Sequence, residues 1–128
     1  FVLNSISIFN IYFIMTETIF DKILSKEIPA DIVYEDSNFL AFNDINPQAP
    51  IHILIIPKKR IPTINDITPS DSNLIGEMIL IAQKIAKDKE INDDGYRLIF
   101  NCNDNGGQTV YHIHLHLIGG RKLSWPPG

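Results

Sequence analysis

Cysteine is nearly absent: Cys102 is alone in a chain of 128 residues. One thiol cannot build a disulfide framework, nor a zinc site of four cysteines or of paired cysteines and histidines within a single chain, and it points to a reducing compartment. Positive charge is also scarce. Eleven Lys and Arg against fifteen Asp and Glu leave a formal net charge of −4 and a pI near 5.4. No general field therefore exists to attract a nucleic-acid backbone or an anionic membrane. The apolar stretch Phe1 to Ile14 is broken by Asn4, Ser5, Ser7 and Asn10, falls short of the roughly 20 residues that cross a bilayer, and has no basic start of the kind a secretory signal needs. No Ser/Gly linker, internal repeat or low-complexity run divides the chain. What is present, 45% hydrophobic against 20% charged residues, is enough for one domain with a real core and too apolar for a disordered chain. Residues 1–15 read as an N-terminal extension, either extraneous, disordered or an added strand, and residues 16–128 as the domain.

Along the domain, Ile19, Phe20, Ile23 and Leu24 recur at helical spacing behind a capping-box pair, Thr18 and Asp21, and Pro29 closes the segment. From Asp31 to Asn43, β-branched and aromatic residues broken by Glu35-Asp36-Ser37-Asn38 predict a hairpin. Pro47 and Pro50 deny donors to a ladder, and His52 to Ile56 then reads as a third strand ended by Pro57. Thr68-Pro69-Ser70-Asp71 has the order of a helix entrance, and Leu74, Ile75, Met78, Ile79, Ala82, Ile85 and Ala86 form one apolar stripe behind it. Asn92 to Gly95 end that helix. Tyr96 to Asn101 reads as a fourth strand, and the polar, glycine-rich Asn103 to Gly107 connects it to the last one. Helix, three strands, helix, two strands predict an α+β fold: a five-stranded antiparallel sheet with two helices over one face.

The last strand carries the most informative residues. In His112-Ile113-His114-Leu115-His116-Leu117-Ile118 histidine and aliphatic residues alternate. A strand has a side-chain period of two, so the three imidazoles share one face, successive rings standing about 7 Å apart along it. Three readings compete. The histidines could merely fill a solvated face; His112 and His114 could present a His-x-His pair to zinc; or neutral His114 could act as a nucleophile at phosphorus, with its neighbours on the phosphate oxygens. The preceding Gly106-Gly107-Gln108-Thr109 favours the third, because glycines let backbone N–H groups approach an anion closely.

At these residues the chain resembles the histidine triad (HIT) superfamily, whose pattern is His-φ-His-φ-His-φ-φ, and within it the histidine triad nucleotide-binding, protein kinase C inhibitor-like branch. The resemblance runs from about Thr18 to the C-terminus, through Phe42-Asn43-Asp44-Ile45, Pro47 to His52, Gly106 to Tyr111 and Trp125-Pro126-Pro127-Gly128. It implies a homodimer with a sheet continuous across both chains. It also implies a hydrolase of purine nucleoside phosphoramidates and related adenylates, working without a cofactor or metal through a nucleotidyl-histidine. By that resemblance His114 is the nucleophile, oriented by the His112 carbonyl. His116 and the backbone at Gly107 hold phosphate oxygens, while His52 and His112 support the site from its edge. Asn101 and Thr109 bond the phosphate or leaving group, Thr109 standing where relatives have serine. Asp44 takes the ribose hydroxyls; Ile19, Phe20, Ile23, Phe42, Ile45 and Leu54 line the purine slot, though each also reads as plain core. Gln108 and Val110 complete the nucleotide contacts, and Trp125 reaches a neighbouring site from the partner's tail. The implied location is the cytoplasm, with a nuclear pool open to a dimer of this size. The alternatives are a nucleotide-binding interaction protein with little turnover and a zinc-binding protein.

Overall fold

A computed structural model describes residues 17–128; the expected extension of residues 1–15 lies outside the described residues. Helix α1 (Ile19–Leu24) begins in the capping box expected of Thr18 and Asp21. Its end comes before Pro29: Ser25 caps it and Lys26 turns the chain at φ 67°. Strands β1 (Ile32–Glu35), β2 (Phe39–Asn43) and β3 (Ile51–Pro57) follow, then two single 3-10 turns and the long helix α2 (Ser72–Asp88). Pro69 to Asp71, expected to open α2, is the second of those turns, with Asp71 accepting from the Thr68 amide and paired to Lys59. Strand β4 (Tyr96–Ile99), one helical turn α3 (Asn103–Gly106) where a loop was expected, and β5 (Leu115–Gly119) complete the chain.

All pairings are antiparallel and the order is β1-β2-β3-β5-β4. The period of two then sorts the side chains. Phe39, Ala41, Ile53, Ile55, Leu115 and Leu117 face α2 and pack on its Met78, Ile81, Ala82, Ile85 and Ala86. Leu40, Phe42, Leu54 and Ile56 point the other way and pack on Phe20 and Ile23 of α1. The two helices therefore lie on opposite faces, correcting the expectation that both cover one. The reason is that β2 and β3 are apolar at nearly every position, which leaves hydrophobic surface to bury on both sides.

The short α1 covers only the β2–β3 part of its face. The neighbouring part, over β3, β5 and β4, carries His52, His116, Ile118, Arg97 and Ile99 on the same side. That uneven cover produces the site. Among the described residues, no helix is long and apolar enough to cross a membrane.

Candidate active site

The histidine row is less regular than its spacing predicts. Only His116 lies within β5; His112 and His114 precede it in extended but unladdered chain. The register Ile55↔Leu115 would bring Pro57 opposite Ile113, and proline has no N–H with which to continue. The Ile113 amide instead bonds the Ile61 carbonyl at 2.7 Å. His112 consequently leaves the accessible face: it is fully buried, its Nε2 2.7 Å from the carbonyl of Pro57. Its Nδ1 faces Asp21 Oδ1 at 3.8 Å and makes no hydrogen bond.

His114 and His116 do come together, with ring centroids 4.9 Å apart. His114 Nδ1 lies 2.7 Å from the His112 carbonyl. A carbonyl only accepts, so Nδ1 carries the proton and Nε2 keeps the lone pair. Phe20 sets its ring edge against His114, with centroids 5.0 Å apart at 89°, and packs likewise on Phe42.

The fourth histidine enters across the strands. His52 pairs with Ile118, which places it diagonally beside His116, and its Nε2 is 2.9 Å from His116 Nδ1. The Gln48 amide donates to His52 Nδ1 at 3.0 Å. Because an amide N–H can only donate, His52 must carry its proton on Nε2 and give it to His116 Nδ1, so His116 holds its own proton on Nε2. That nitrogen is buried without a partner among the described residues. It is a donor left for a bound oxygen.

Burial lowers the pKa of all four imidazoles, most clearly for His116, which is brought down to about 4 by desolvation and then by His114 and His52. The rings are neutral near pH 7, as an attacking lone pair requires. The unfolded chain, with ordinary histidines, binds more protons than the folded one between pH 6.5 and about 4. Stability present above pH 6.5 is accordingly lost as pH falls through about 4. Thermal melts from pH 7 to pH 4 are expected to show a falling Tm, with a shallower slope in His116→Asn.

Asp44, His52 and His116 each bring one ligand-type atom within 4.8 Å of the others, the group of this kind that the described residues hold. It replaces the His112 and His114 pair suggested by spacing. Asp44 Oδ2 stands 3.5 Å from His52 Nε2, while its Oδ1 accepts from the Asn46 amide. A cation on His52 Nε2 would force that ring's proton onto Nδ1, against the Gln48 N–H. Within the trio His52 and His116 are thus joined as a hydrogen-bond relay, with the Asp44 carboxylate beside it.

The remaining sequence candidates divide by burial. Phe20, Ile23, Phe42 and Leu54 are buried together, with Val110 packed on them. Ile19 and Ile45 are exposed at 46% and 95%, at the open margin. Gln108 is buried and its amide is engaged with the Asn103 N–H and the carbonyls of Pro62 and Val110. The turn before the histidines also differs from a free anion cradle: Gly107, at φ 81°, and Gln108 direct their N–H groups to the carbonyls of Asp104 and Asn103. Thr109 beyond them is exposed. Beside His116 a cleft of about 680 Å³ is lined by His52, Asn101, Arg97, Trp125 and Gly128. The tail therefore lies over the cleft of its own chain, held by a 3.0 Å bond from Arg97 to the Ser124 carbonyl. Sequence reasoning missed the Pro57 carbonyl and the Gln48 amide, since backbone groups carry no side-chain signal, and Asp21 beside His112, since its place there depends on tertiary packing.

Residues 25–123 match the family model described as HIT domain. The purine nucleoside phosphoramidase of Escherichia coli K12 is 59% identical over 107 residues, 84% of this chain and 90% of that protein. The crystal structure of a HIT family hydrolase from Legionella pneumophila superposes with a TM-score of 0.86 at 56% identity, covering 88% of this chain and all of that one. A histidine triad protein from Clostridium difficile gives a TM-score of 0.80 at 45% identity, covering 83% and 92%.

Proposed function

The chain belongs to the HIT domain family, and from that premise we propose that it hydrolyses purine nucleoside phosphoramidates, such as an adenosine monophosphate joined to an amine, and related adenylates. The observation that carries the reading is the bond from His114 Nδ1 to the His112 carbonyl, which leaves Nε2 as a neutral nucleophile in the site.

In the first step Nε2 of His114 attacks the α-phosphorus; the N–P bond forms as the bond to the amine breaks, and the departing nitrogen takes up a proton from solvent water. Since Nδ1 keeps its hydrogen, the nucleotidylated ring is cationic, and the His112 carbonyl stabilises that charge. Water then displaces the ring and releases the nucleoside monophosphate. The Nε2–H of His116 is directed at a non-bridging oxygen, where charge builds in both steps. Asn101 and Thr109 flank the leaving group, and the extra methyl of Thr109 relative to serine restricts its rotamers. The base enters beside Phe20, Ile23, Phe42 and Leu54, with Ile19, Ile45 and Val110 at the margin. Asp44 Oδ2 receives the ribose hydroxyls. Asp44→Ala is expected to raise KM for the nucleotide by about 10-fold, the loss of a hydrogen bond to a charged group, with kcat within a few-fold in steady-state assays.

The working form in this reading is a cytoplasmic homodimer of the 16–128 domain. Among the described residues strand β4 is an unpaired sheet edge whose residues are all half-buried, and α2 exposes Leu80 and Ile79. A second β4 edge and helix would cover both. Trapping decides the chemistry. Quenching turnover of a phosphoramidate with a poor leaving amine and analysing peptides by mass spectrometry is expected to find one nucleoside monophosphate on the peptide holding His114. Nucleotide binding with neither adduct nor hydrolysis across a series of amines would favour the interaction-protein alternative.

A further inference from the structure

The relay that fixes His116 does not end at the Gln48 amide. The Gln48 carbonyl accepts from Arg121 Nη2 at 2.8 Å, although Arg121 lies 73 residues further along the chain. Between Arg121 and β5 stands Gly120, at φ 89°, where an added Cβ would lie 3.0 Å from Pro50 Cβ. The segment after β5 is thus pressed onto the loop that carries Gln48, close enough to exclude a side chain at 120. On the far side of the same peptide segment, the Gln48 N–H meets His52 Nδ1, and His52 Nε2 meets His116 Nδ1.

We infer that Arg121 is a positioning residue for the phosphate site, holding the Gln48 loop so that its amide fixes the tautomers of His52 and, through it, His116. Gln48 is otherwise exposed, and among the described residues its side chain bonds the Asn46 carbonyl within the same loop. A loop free to turn its amide away would let His52 protonate at Nδ1 and present its Nε2 lone pair to His116. His116 would answer by moving its proton to Nδ1, and its Nε2 would meet the phosphate as a lone pair instead of a donor. The substrate contact would then change sign with no residue of the site altered. The charge of Arg121 stays on the surface; its geometry is what acts.

The inference rests on the phosphoramidase reading for its kinetic arm only. Histidine side-chain 15N spectra of the full chain are expected to show His116 Nδ1 unprotonated and Nε2 protonated in the wild type, and averaged tautomers in Arg121→Ala. The Gln48 amide is expected to be protected from hydrogen exchange in the wild type and to lose protection in the variant. With an adenosine phosphoramidate, kcat falls about 10-fold, a partial misplacement of one phosphate donor, while KM stays within two-fold and Arg121→Lys restores part of the rate. A wild-type Gln48 amide that exchanges freely would overturn the inference without any variant. So would unchanged tautomers in a folded Arg121→Ala, whatever its rate. A wild type with no phosphoramidate turnover would count against the proposed reaction and leave the spectra and exchange to decide the relay.

Discussion

His114→Ala is expected to lower kcat/KM for an adenosine phosphoramidate by about 10⁴-fold or more, the scale seen when a covalent nucleophile is removed. The assay is run in chelator, so that rescue by an adventitious cation does not enter. His114 is 7% exposed and packs one face against Phe20, so the variant also loses some stability, and circular dichroism must first show the sheet intact. No adduct forms in this variant. A folded His114→Ala with unchanged turnover would remove the residue from the chemistry and the mechanism with it.

The second large effect falls on stability. Ile55→Ala is expected to destabilise the fold by about 2 to 5 kcal/mol, the transfer and cavity terms of a buried aliphatic truncation, measured as a lower urea midpoint at constant slope. Ile55 is fully buried in β3, near the centre of the sheet, and faces α2. Against a total of about 5 to 15 kcal/mol for a domain of this size, that is a large fraction. Kinetic constants of the folded fraction hardly move, because the side chain points away from the histidines. Its neighbour Leu54 points toward them, pairing with His116 across the ladder. Leu54→Ala is therefore expected to raise KM as well as lower stability. The contrast between adjacent positions tests the sorting of the two faces directly.

Much of this was legible in the sequence because local rules carried it. The capping pair Thr18 and Asp21, the alternation within β5 and the apolar stripe of α2 each state their geometry within a few residues, except that Ile79, expected in the stripe, is exposed and Ile81 is buried on that face instead. The tautomer of His114 was legible too, since its partner is only two residues away. What escaped depends on register. The approach of His52 to His116 spans 64 residues and follows from one pairing, His52↔Ile118. The loss of His112 from the open face follows from what stands opposite, a proline that no local pattern around the histidines announces. The placement of the two helices escaped for a related reason: strands apolar at nearly every position do not say which face a given helix will take. The Gln48 amide and the Pro57 and His112 carbonyls are groups every chain possesses, so composition could not single them out.

Pro57 ends the hydrogen-bonded weave between β3 and β5 just short of His112 and His114. The oxygen at 57, which regular pairing with Ile113 would have consumed, is thereby released and takes a proton of the His112 ring instead. The His112 ring owes its alignment to an unfinished seam. Supplying the missing hydrogen at position 57 would invite the strands to zip one step further, trading the anchor of one oriented ring for a longer stretch of sheet.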